Sequence, residues 1–196
     1  MAVVAADWHR DRREAPPGDL AIWIFILAEL LVFGVFFLAY AFARMNNVEL
    51  FDTHQATLDR TSGFINTLAL ITSSYYVVRG VHSIKQDHTR GCAFWLWAAF
   101  AMGAVFVVIK LLEFSHHVGE GITLSTNVFY MFYLSLTFFH FMHVVMGMVI
   151  LAFMAQKAQR GNYSAVDHHG VETGASYWHM VDLAWLVLFP LVYVMH

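Results

Sequence analysis

Five apolar segments, each near or above the ~20 residues that a helix needs to cross ~30 Å of hydrocarbon, take up most of this chain. They run approximately from Leu20 to Ala43, Ser62 to Val81, Cys92 to Phe114, Val128 to Met154 and Ala175 to Met195. In lipid every backbone N–H and C=O must be satisfied within the protein, so segments of this length are constrained to be helices in a bundle. The second is diluted by Asn66, Thr67, Thr72, Ser73 and Ser74. Ser62, Asn66, Ala69 and Ser73 nevertheless recur at helical spacing, which suits a span whose small polar stripe faces neighbouring helices while Ile65, Leu68 and Ile71 lie elsewhere.

Composition points the same way. Hydrophobic residues make up 59% of the chain and charged ones 13%, against roughly 25% charged in a soluble domain. The net charge of −3 and the absence of a Lys/Arg run argue against a nucleic-acid partner. A single cysteine, Cys92, allows no intramolecular disulfide and no structural metal by itself. Ala41-Phe42-Ala43 has the form of a signal-peptidase site, but a signal core is ~7–15 apolar residues. The longer first run, with Glu29 near its middle, reads as a retained helix.

Eight of the eleven basic residues fall on one side: Arg10, Arg12, Arg13, Arg79, Lys85, Arg90, Lys157 and Arg160. The positive-inside rule then puts the N-terminus in the cytoplasm and, after an odd number of crossings, the C-terminus outside. Trp23, Trp95, Trp97, Tyr177 and Trp178 near span starts read as interfacial aromatics. The expected architecture is all-α. Residues 1–19 form a cytoplasmic polar tail, and residues 20–196 form a five-helix domain in a bacterial inner membrane.

Ionisable residues inside these spans are the functional clue, because one at a helix centre costs on the order of 2.5–3.5 kcal/mol on insertion scales. Lys110 and Glu113, three apart, share a face and can pair, with Lys110 snorkelling toward water. Glu113 and His116 also spell the Glu-x-x-His of di-iron bundles, but the second copy such a site needs is missing from the sequence. His116, His117 and Glu120 then read as an exposed loop. His140 and His143 share one face of the fourth span. A bis-histidine haem needs ligands from opposite sides of the iron, and zinc needs two more ligands, so polar packing is the favoured reading and no metal is expected at these residues. His179 and Asp182 could relay protons, but beside Tyr177 and Trp178 a hydrogen-bonded anchor is favoured. Glu29 has no basic residue in its own span. It must be protonated, pair with His140 or His143, or meet a headgroup or water.

Four stretches, in order along the chain, carry a resemblance to subunit III of the haem-copper oxidases. Phe139-His140-Phe141-Met142-His143-Val144-Val145-Met146-Gly147 looks like that family's Phe-His-Gly-x-His-Val-x-x-Gly stretch. Tyr177-Trp178-His179-Met180-Val181-Asp182-Leu183-Ala184-Trp185 resembles its final-helix Trp-His-Phe-x-Asp-x-x-Trp. Ala28-Glu29-Leu30-Leu31-Val32-Phe33 is similar to the segment holding its buried glutamate, and Leu112-Glu113-Phe114 to its Glu-Tyr or Glu-Phe pair. The resemblance implies a subunit without haem or copper that packs beside the catalytic haem-copper subunit, binds phospholipid, and supports proton uptake and durability of the active site. By that resemblance Glu29, His140 and His143 belong to a lipid and helix-packing region, and Tyr177, Trp178, His179, Asp182 and Trp185 to the final-helix motif.

Two N-terminal helices of the seven-helix form are missing, which bears on the closed lipid cleft. Short five-helix forms resemble the third subunit of quinol oxidases or the subunit-III-like proteins of nitric oxide reductase, and Phe141-Met142 between the paired histidines leans to the latter. Beside the accessory-subunit reading stand a membrane enzyme with its own metal and a proton carrier. The first lacks a complete ligand set, and the second lacks an inverted repeat.

Overall fold

The computed structural model describes residues 20–195. The tail expected at 1–19, with Arg10, Arg12 and Arg13, lies outside the described residues. Six α-helices follow in order among them: α1 Leu20–Asn46, α2 Val48–Gln55, α3 Arg60–Lys85, α4 Thr89–Gly119, α5 Val128–Gln159 and α6 His169–Phe189. A π-helical turn, Pro190–Val194, continues α6. Pro190 has no N–H to continue the α ladder, and the chain instead closes a wider turn with Met195 N–H donating to the Pro190 carbonyl at 2.9 Å.

Helix starts are encoded locally. Asp59 caps α3 by accepting from the Thr61 N–H at 2.9 Å, and Asn127 caps α5 by accepting from the Tyr130 N–H at 2.8 Å. Between α4 and α5 the chain reverses through Gly121 at φ 72°, a backbone conformation that side chains disfavour.

Four helices are long and apolar enough to cross a membrane: α1, α4, α5, and α6 with its π turn. That is one fewer than the five expected. The 26-residue α3 has the length, but the polar residues on its inner face lower its mean hydropathy. Those residues are used in packing. Asn66, Ala69 and Ser73 are buried while Ile65, Leu68 and Ile71 are exposed, and the Ser73 hydroxyl donates to the Ala99 carbonyl of α4 at 2.8 Å.

The five long helices, α1 and α3 to α6, alternate in direction. α3 packs along α4, α4 along α5, α5 along α6, and α6 back against α3, closing a four-helix bundle with α1 laid outside against α5 and α6. At one end Arg44 on α1 reaches the Met195 carbonyl at 2.5 Å and Asp52 at 3.0 Å. At the other, Lys85 on α3 pairs with Glu172 on α6 at 2.8 Å. The short α2 lies under the first end, where Phe51 fits edge-on between Tyr40 and Phe129.

Tyr177 and Trp178 face the bundle interior. Both are 1% exposed, because α4 and α5 each present a glycine where the Trp178 ring sits. A Cβ at Gly147 would lie 2.7 Å from that ring, and one at Gly103 3.0 Å.

Candidate functional site

The titratable groups of the spans gather in three places. The first joins α1 to α5. His143 Nδ1 lies 2.8 Å from the Phe139 carbonyl, which can only accept, so Nδ1 carries a proton. His143 Nε2 then faces Glu29 Oε2 at 3.0 Å. Either the imidazole is doubly protonated beside a carboxylate, or a neutral Glu29 donates to Nε2. In both cases the pair is neutral overall, which removes the charge that Glu29 would otherwise hold in hydrocarbon. Phe33 and Phe139 flank the His143 ring, and the Tyr177 hydroxyl donates to the His143 carbonyl at 3.3 Å.

His140, one turn away, has a different environment. It is fully buried, and neither ring nitrogen has a hydrogen-bond partner. Its neighbours are the rings of Phe33, Phe106 and Trp185, the last at 5.1 Å between centroids. Of the two histidines, only His143 reaches Glu29.

The second group sits deep in the bundle at the end that holds α2. Lys110 is 0% exposed, so the expectation that it snorkels to water is corrected. Its ammonium lies 3.0 Å from Glu113 Oε2 and donates to the Tyr193 hydroxyl at 2.5 Å. The other carboxylate oxygen of Glu113 accepts from Tyr193 at 2.7 Å and from Tyr133. Four rings, Phe114, Tyr133, Trp185 and Tyr193, surround Nζ at 5.1–5.9 Å from their centroids. Around the ammonium, hydroxyls and π faces supply what water would otherwise supply, while the Glu113 side chain keeps 12% exposure. Glu113 points into this network while His116 points to solvent, so the Glu-x-x-His spacing brings no shared site together.

The third group lies part-way along α3 and α6. His179 Nδ1 lies 2.5 Å from the Ser74 hydroxyl of α3 and 3.8 Å from Asp182. Both partners address the same nitrogen, so the arrangement lacks the serine-to-one-nitrogen, acid-to-the-other geometry of a nucleophilic triad. It links α3 to α6. Trp185 does so as well, donating through Nε1 to Thr67 Oγ1 at 2.9 Å.

Comparison with known proteins adds what geometry alone cannot. Residues 18–196 match the family model described as cytochrome c oxidase subunit III. The chain belongs to the cytochrome c oxidase subunit III family. It is 36% identical over 196 residues to cytochrome c oxidase subunit 3 of Thermostichus vulcanus, covering 100% of this chain and 93% of that protein. With cytochrome c oxidase subunit 3 of a Synechocystis strain it shares 34% over 173 residues, covering 88% of this chain and 73% of the relative. With a probable quinol oxidase subunit 3 of Staphylococcus epidermidis it shares 28% over 191 residues, covering 92% and 90%.

Within this subunit III chain, several working residues carry no signal in the sequence. Tyr133 and Tyr193 lie 60 positions apart yet place their hydroxyls 3.3 Å from each other. Ser74 and Thr67 look like diluting residues in a weak span, and their roles emerge only when α6 packs against α3. His116 and His117 were expected in a loop. They instead complete the last turn of α4, and Glu120 follows as its C-cap.

Proposed function

We propose that this chain is a non-catalytic accessory subunit of a respiratory haem-copper oxidase in a bacterial inner membrane, supporting assembly, phospholipid retention and proton uptake by the catalytic subunit. The observation that carries the reading is family membership across residues 18–196, with relatives named oxidase subunit 3. The interior agrees with a packing role. Glu29 is engaged by His143 across a helix contact, and Lys110 by Glu113 and Tyr193 within a ring-lined cage. Cytochrome c and quinol oxidases are both represented among the relatives; a nitric oxide reductase is the other host considered.

In this reading α3 is a fifth crossing. It packs antiparallel to α4 and to α6, and a 26-residue helix spans ~39 Å. The N-terminus is then cytoplasmic and the end bearing α2 faces outward. The Glu29 to His143 pair belongs to the lipid and helix-packing region, where a headgroup can exchange hydrogen bonds with it.

The decisive experiment is a mild-detergent pull-down of the tagged chain with haem spectroscopy and identification of the co-purifying haem protein. A haem-copper catalytic subunit is expected, and which one is recovered separates an oxidase from a nitric oxide reductase. Glu29→Gln and His143→Ala are expected to lower recovery of that subunit or of bound phospholipid. A haem spectrum intrinsic to the isolated chain, lost in His143→Ala, would overturn the assignment. Surface labelling of an N-terminal tag in intact cells, expected to fail, tests the orientation.

A further inference from the structure

At the end of the bundle that carries α2, His116, His117 and Glu120 bring one ligand atom each within 4.8 Å of one another, the one such group among the described residues. His116 Nδ1 lies 3.5 Å from Glu120 Oε2, and His117 Nδ1 lies 3.8 Å from the same oxygen. A tetrahedral zinc ion with bonds of ~2.05 Å sets its ligand atoms ~3.3 Å apart, near both imidazole-to-carboxylate separations, and rotations of the exposed His116 and Glu120 side chains would bring all three atoms, now within 4.8 Å of one another, to that spacing. The 3.8 Å separation is too long for a hydrogen bond but close to that spacing.

His117 supplies the second observation. Its Nδ1 is buried and has no hydrogen-bond partner. Its Nε2 lies 3.5 Å from the hydroxyl of Tyr133, which is itself tied to Glu113. A ring proton on Nε2 directed at that hydroxyl leaves the Nδ1 lone pair aimed at Glu120, which is the outer hydrogen bond that metal-binding histidines use to fix their tautomer. A cavity of about 570 Å³ opens beside the three side chains and is also bordered by Asp59 and Glu113. Its acidic lining draws cations, and it leaves a fourth coordination position accessible. Two imidazoles to one carboxylate favour zinc and its neighbours over magnesium or calcium, which prefer all-oxygen sets.

We propose that His116, His117 and Glu120 form a binding site for a divalent transition-metal ion of the zinc class, with its open position facing the cavity bordered by Asp59 and Glu113. The ion clamps the last turn of α4 to the start of the following connection and, through Tyr133, to α5. This assignment is independent of which catalytic subunit the chain serves.

The test uses the full-length, untagged chain in mild detergent. Zinc is titrated against a chromogenic chelator, cobalt is added for its visible d–d bands, and magnesium serves as the control. One tightly held zinc per chain is expected, with a tetrahedral-type cobalt spectrum and a raised thermal midpoint. His116→Ala, His117→Ala and Glu120→Gln should each weaken zinc at least tenfold, while His168→Ala at the opposite end leaves it unchanged. If His117→Ala loses helicity, the exposed His116 and Glu120 variants decide the matter. Folded wild-type protein that holds zinc no better than magnesium, or equal retention in His116→Ala and Glu120→Gln, would overturn the site.

Discussion

Removing the carboxylate beside Lys110 is the sharpest probe of how this bundle is held. In Glu113→Gln the ammonium stays enclosed by four rings but loses its counter-ion at 3.0 Å. At an effective dielectric of ~20 that separation corresponds to a gross attraction of about 5–6 kcal/mol. Tyr193 still accepts one hydrogen bond from Nζ, and Lys110 can shed its proton, so the net loss should fall at about 3–5 kcal/mol, as for other broken buried pairs. Reversible unfolding in mixed detergent micelles, followed by helical circular dichroism and tryptophan emission, measures it. The double variant Lys110→Met/Glu113→Leu removes both charges and leaves the Tyr133 and Tyr193 hydroxyls 3.3 Å apart. It should unfold within about 1–2 kcal/mol of the parent, because replacing a buried pair by apolar groups is often near neutral. A Glu113→Gln cost below about 1 kcal/mol, or a double variant as damaged as the sum of its singles, would refute the reasoning.

Three further outcomes are expected. Gly147→Ala drives a methyl into the rigid ring of Trp178, 2.7 Å away, and should cost about 1–3 kcal/mol in the same unfolding assay, the usual range for overpacking. His140→Leu removes an imidazole whose two nitrogens have no partner; the thermal midpoint should hold or rise, and a fall of several degrees would reveal a polar role for the ring. Asp59→Ala should cost about 1 kcal/mol through loss of the α3 cap. The Ser62 hydroxyl first, and the backbone N–H groups of Ser62 and Thr61, hold the Asp59 carboxyl below the usual carboxylate range. The cap's stabilisation is therefore complete above the unfolded value of ~3.9 and fades as pH falls through the lower folded value, a pH dependence that Asp59→Ala should lack.

How much of this was legible beforehand differs residue by residue. The polar stripe of α3 announced itself, because Asn66 and Ser73 recur at helical spacing in an apolar run, and both are buried. A partner for Glu29 among two histidines on one face could be narrowed but not chosen, since the choice depends on how α1 leans on α5. Lys110 was misjudged because a long aliphatic stem near a span end ordinarily reaches for water. What holds it inside is a cage assembled from α4, α5, α6 and the π turn, and no local pattern reports four helical pieces meeting. The inward packing of Tyr177 and Trp178 was hidden for a related reason. Aromatics near a span start look alike in one dimension whether they face headgroups or fill the gap left by Gly103 and Gly147. The short α2 escaped because eight residues of mixed polarity show no period, and it is held by tertiary contacts through Phe51, Asp52 and His54.

The position of Tyr193 has a temporal consequence. During synthesis α4 must enter the lipid with Lys110 and Glu113 neutralising each other on adjacent turns, long before the ribosome reaches the tyrosine that completes their shell. The bundle therefore has a provisional state, stitched by a local pair, and a finished one, latched when the last helix arrives.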